Sequence, residues 1–157
     1  MLIDKSLEMA DAVSIAATTG GPTKVGTGID LRPVGVLDAG NATLDMSVGE
    51  NLQFVVDFTT AVASDGAATV NVHLTTADNE ALTSNPVDIF TTGATGKAEL
   101  IAGKRFRVAL PKADYKRFLG VRITTAGATT TAGAINAFLV KDVNAWTSTD
   151  TRVAADS

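Results

Sequence analysis

At 157 residues the chain is long enough for one compact domain with a buried core and needs no covalent staples. Thirteen Lys and Arg against seventeen Asp and Glu leave a net charge of −4, which argues against general binding to nucleic acid or an anionic membrane, and zero cysteines exclude disulfides and thiolate chemistry. Hydrophobic residues make up 45% of the chain, yet no run approaches the roughly 18–20 apolar residues of a membrane helix.

The opening MLIDKSLEMADAV carries Asp4, Lys5, Glu8 and Asp11, so it lacks a signal-peptide core, and a soluble protein that stays where it is made is expected. LIDKSLEMADAVSI fits a helix through Ile3, Leu7, Ala10 and Val13, and equally an extended arm through Ile3, Leu7 and Met9. GGPTKVGTG (20–28) reads as a loop, making 1–28 an N-terminal arm and loop. Gly21 and Gly26 have the spacing of a phosphate loop, but Thr27 stands where its lysine would be, so a plain loop is the better reading. Asn41-Ala42-Thr43 is a glycosylation sequon with no sign of a secretory route to use it.

The middle of the chain alternates as strands do. NLQFVVDF (51–58) puts Leu52, Phe54, Val56 and Phe58 on one face; TVNVHLTT (69–76) does so with Val70, Val72 and Leu74. RFRVAL (105–110) sets Phe106, Val108 and Leu110 against Arg105, Arg107 and Ala109, and FLGVRITT (118–125) points Leu119, Val121 and Ile123 inward. GAINAFLVKD (133–142) is apolar on both faces, as a central strand is. Short turns such as SDGAA (64–68), SNP (84–86), TTGATG (91–96) and TAGATTTAG (125–133) separate these runs, with room for one helical turn after Pro111. Strands at this spacing make an all-β sandwich or barrel, a single domain ending in a polar tail, 144–157.

Catalytic chemistry finds little footing. The lone histidine, His73, falls on the outer face of its strand and reads as a surface residue; one histidine supplies neither a triad with G-x-S-x-G nor a multi-His metal site. Asp78 and Glu80 flank Asn79 in what reads as a solvated turn, with Asp65 and Asp88 elsewhere. A carboxylate-dependent hydrolase or a Ca²⁺ cage would need more around them. No enzyme activity, metal or cofactor is expected.

Charge is unevenly spread. Lys97–Arg122 holds eight of the thirteen cations against Glu99 and Asp114. Parity suggests a hairpin over Lys97–Leu110 with a three-residue loop, Ala102-Gly103-Lys104, pairing Leu100 with Phe106 and Glu99 with Arg107. Arg105 and Arg122 would then face outward without a local mate. Nucleic-acid binding would call for exposed stacking aromatics beside such charges, and Phe106 points inward by pattern. The alternatives are a solvated strand face or a docking face for an acidic protein.

The order of MLIDKSLEMADA, DGAATVNVHLTTADNEAL, LIAGKRFRVALPKADYKRFLGVRITTAG and GAINAFLVKDV resembles the capsid cement (decoration) proteins of tailed bacteriophages, of the jelly-roll type found in short-tailed Bordetella-type phages. The resemblance runs to about Val143, and its most specific part is the Ala-Gly-Lys-Arg-Phe turn, an apolar strand ending in Leu-Pro, and a basic link into the next strand. It implies a β jelly roll on the outside of the virion, made in the bacterial cytoplasm. There it would join neighbouring copies of the major capsid protein as a homo-oligomer, a dimer ahead of a trimer, without binding nucleic acid or membrane. Arg105, Arg107 and Arg122, with the apolar ends Leu2, Ile3 and Trp146, are the expected contacts. A carbohydrate-binding β-sandwich module for host attachment is the alternative, and exposed aromatics in a groove would favour it.

Overall fold

The computed structural model describes residues 7–31, 52–111 and 113–140. Among these residues there are nine strands and no α-helix. In order they are β1 (Glu8–Ser14), β2 (Gly20–Asp30), β3 (Gln53–Ser64), β4 (Thr69–Ala77), β5 (Val87–Thr91), the two-residue β6 (Thr95–Gly96), β7 (Arg105–Ala109), β8 (Phe118–Ala126) and β9 (Thr130–Val140). They form two antiparallel sheets, one ordered β1-β9-β3-β7 and the other β2-β8-β4-β5, with β6 also bonded to β4. This interleaving is the jelly-roll order, two Greek keys rolled into a sandwich.

The alternation of the sequence sets the core. Phe54, Val56 and Phe58 of β3 pack with Val70, Val72 and Leu74 of β4 and with Leu119, Val121 and Ile123 of β8, all fully buried. A side chain of this size contributes about 1.5–3 kcal/mol when buried, so these positions hold the sheets together. β9 lies between β1 and β3, which explains its two apolar faces: Ile135, Ala137 and Leu139 enter the core, while Phe138 joins Val55 and Val140 in a separate cluster. Phe106 and Val108 of β7 also turn toward the core but are only partly buried, because β7 is an edge strand.

Four expectations are corrected. Residues 20–28 are not a loop but most of β2, which pairs with β8 from Gly20↔Thr125 to Asp30↔Phe118 with two register breaks. Gly26 shows why glycine suits this strand: its φ is +71°, and a Cβ there would run into the carbonyl of Met9 on β1. The described part of the N-terminal segment takes the extended alternative and not the helix, and it is docked on the sheet, since β1 pairs with β9. Its ladder breaks twice, and Asn136 Oδ1 accepts a 2.6 Å hydrogen bond from the amide of Ala12 at one break.

The hairpin over Lys97–Leu110 does not form. Residues 97–100 make a turn, Leu100 accepts from the Val62 amide of β3, and β7 pairs with β3 so that Arg107 stands opposite Val55, not Glu99. The twelve-residue β3 is long enough to bond both segments, and the chain uses 97–104 to pass between sheets. No helical turn follows Pro111 among the described residues; Tyr115 instead donates to the Pro111 carbonyl. The threonine excess has a use at the end of the sandwich, where Thr18 Oγ1 lies 3.0 Å from Thr125 Oγ1 and 2.8 Å from Thr130 Oγ1, tying the β1–β2 turn to β8 and β9.

Candidate functional site

Among the described residues, most cations of the basic stretch contact groups of the fold, and Arg107 faces solvent. Arg105 pairs with Asp57, its register partner on β3, at 3.2 Å. Arg117 makes a forked contact with Asp30, 2.9 Å at its shortest, which raises the guanidinium's affinity for its proton and joins β2 to the link before β8. Lys97 donates to the Ser64 carbonyl at 2.6 Å, Lys104 sits over the Phe106 ring, and Lys116 lies 3.9 Å from Asp78. Arg107 is exposed and has no carboxylate partner among the described residues. Leu2, Ile3 and Trp146 lie outside the described residues.

Arg122 corrects the expectation of an outward, unpaired arginine. It does project from the outer face of its sheet, opposite His73 on β4 and Lys24 on β2, but only 9% of it is accessible. Its side chain crosses β4, with Nε donating to Thr75 Oγ1 at 3.1 Å and a terminal nitrogen donating to Asp88 Oδ1 of β5 at 2.9 Å. Thr75 donates to the same Asp88 oxygen at 2.7 Å. His73, also read as a surface residue, is 8% accessible. Its Nε2 lies 3.0 Å from Thr124 Oγ1, and its Nδ1 lies 3.1 Å from Asp88 Oδ2, within ion-pair range but not aligned as a hydrogen bond.

Burial pushes the Asp88 carboxyl toward its neutral form, but the hydrogen bonds from Thr75 and Arg122, with the charges of His73 and Arg122, outweigh it and hold the group below the usual carboxylate range. Alternation places His73 and Arg122 on the outer face, but their burial comes with the contacts that converge on them from Thr75, Asp88 and Thr124. Leu82, fully buried, rests on Gly120 of the same outer face, and Lys24 reaches Glu80 at 3.8 Å. Asn79 organises that loop, accepting from the amides of Thr83 and Ser84. The cluster acts as a latch of β4, β5 and β8: Thr75, Asp88 and Arg122 bond one another across the strands, and His73 lies against Asp88 and Thr124. Among the described residues no group of three metal-ligating side chains gathers.

The described aromatic rings are packed as well. Phe54 meets Phe90 edge-to-face, Phe58 meets Phe106, Arg117 stacks on Phe118, and none of the six phenylalanines nor Tyr115 is exposed.

The described residues thus make an antiparallel jelly-roll β-sandwich held by structural ion pairs. A family model, Bbp16, matches residues 32–139, and the chain belongs to that family of Bordetella phage proteins, which fits a structural, virion-associated role. No curated protein matches the chain.

Proposed function

We propose that this protein is a non-enzymatic capsid cement that binds the outside of a phage head and joins neighbouring major capsid proteins, acting as a homo-oligomer. The family match over residues 32–139 carries the reading. It is supported by a jelly roll whose described arginines and aspartates pair largely within the fold, and by the exposed Arg107 on an edge strand, a charge free to meet an acidic shell surface. Adhesion of this kind is additive: each copy adds contacts that must break before a shell ruptures. The carbohydrate-binding alternative would need exposed rings on which to stack sugars; none of the described phenylalanines nor Tyr115 is exposed, and Trp146 lies outside the described residues.

The test uses heads assembled without the protein. Purified full-length chain added to them should co-sediment and appear as regular density on the outer surface in negative stain, and the heads should survive heating to higher temperature. Heads that remain bare at saturating protein would end the cement reading.

A further inference from the structure

The two sides of the sandwich are closed differently. β1 and β2 are in contact and bound one side, so β7 and β5, at the far ends of their sheets, bound the other. Of the two edges of the first sheet, β1 is broken by two irregularities and a positive φ at Ala12, devices that spoil an edge for further pairing. β7 runs against β3 without a break over all five residues.

The direction of the β7 backbone follows from its bonds. Leu110 donates to the Leu52 carbonyl, and Phe58 donates to the carbonyl of Lys104, at 2.9 Å and 2.8 Å. In an antiparallel ladder bonded pairs recur every second residue, so Phe106 and Val108 also bond inward to β3. The amides and carbonyls of Arg107 and Ala109 therefore point away from the sheet, and β7 has no second strand beside it among the described residues. Phe106 and Val108 of β7, like Ile89 and Phe90 of β5, pack against the core but are only partly buried, and Val87 of β5 is 46% exposed.

We propose that β7 is a strand-docking edge that takes an extended, acidic segment of a partner protein as a fifth strand, with main-chain bonds to Arg107 and Ala109 and a carboxylate beside the Arg107 guanidinium. Charge chooses the occupant. Antiparallel pairing of β7 with β7 of a second copy, centred on the strand, would set Arg107 against Arg107, and like charges directly opposite are unfavourable. A run carrying Glu or Asp at alternate positions reverses that sign while its main chain supplies the affinity. The proposal deepens the cement reading, since it gives such a protein one defined place to grip an acidic shell segment.

The experiment uses the full chain and no capsid, so its failure leaves the cement reading standing and bare heads leave this edge standing. Acetylated, amidated eight-residue peptides of alternating Thr-Glu and alternating Thr-Lys are titrated against labelled protein, with amide exchange followed residue by residue. The Thr-Glu peptide should slow exchange at Arg107 and Ala109, and Arg107→Glu should weaken its binding about tenfold, the effect of one like-charge contact. Equal binding of both peptides, undiminished binding by the Arg107→Glu protein, or exchange unchanged at both amides would each overturn the proposal. Because Arg107 is exposed, the variant keeps the fold, and an unaltered melting curve checks this.

Discussion

At the scale of single residues, the arginines of the basic stretch separate by what they touch. Arg122 spans β4 to reach Asp88, so Arg122→Ala should lower stability by about 2 kcal/mol, because the carboxylate and Thr75 lose a charged donor. Arg107→Ala should stay within about 0.5 kcal/mol, as an exposed substitution does. Paired urea melts of the two variants check the contrast; equal midpoints would show that the latch contributes nothing.

Acid should act through the same cluster. Asp88 is held below the ordinary range in the fold, so the ionised form is favoured there relative to the unfolded chain. Its contribution is complete above the unfolded value of about 3.9 and is lost as the pH falls through the lower folded value. Asp88→Asn should therefore flatten the stability profile below about pH 4, measured by denaturant melts across pH 2–6. A profile as steep as the parent's would place the acid sensitivity elsewhere.

At the scale of elements, the strands that alternate cleanly were readable and those that bend were not. Leu119, Val121 and Ile123 announce β8 by period two, and the doubled apolar faces of 133–142 announce the central β9. β2 was invisible because its glycines, which look like a loop, are what allow an edge strand to cross β1 at Gly26. The burial of His73 and Arg122 was likewise unreadable. Parity does place both on the outer face, but the convergence of Thr75, Asp88 and Thr124 on them is a tertiary event that no local period encodes. The pairing of Arg107 failed for a related reason, since the local hairpin lost to a more distant and longer strand, β3.

The edge position of β7 also sets the worth of its inward ring. A fully buried phenylalanine costs about 3–5 kcal/mol on truncation, and the half-buried Phe106 should cost about 2 kcal/mol. Phe58→Ala, in the closed core, should reach the full range. Thermal melts that rank Phe106→Ala above Phe58→Ala would mean that β7 is sealed rather than open.

At the scale of the whole molecule, the two rims of the first sheet differ: β1 is irregular along its length, while β7 is straight and cationic. A subunit with matching adhesive rims on both sides could join head to tail without limit, and such contacts, when they do not close, build fibres. One spoiled rim removes that route. If β7 docks a strand as proposed, β1 offers no matching rim on the first sheet to pass that pairing on. Strand pairing at β7 would then add to a shell contact without chaining one copy to the next through the first sheet.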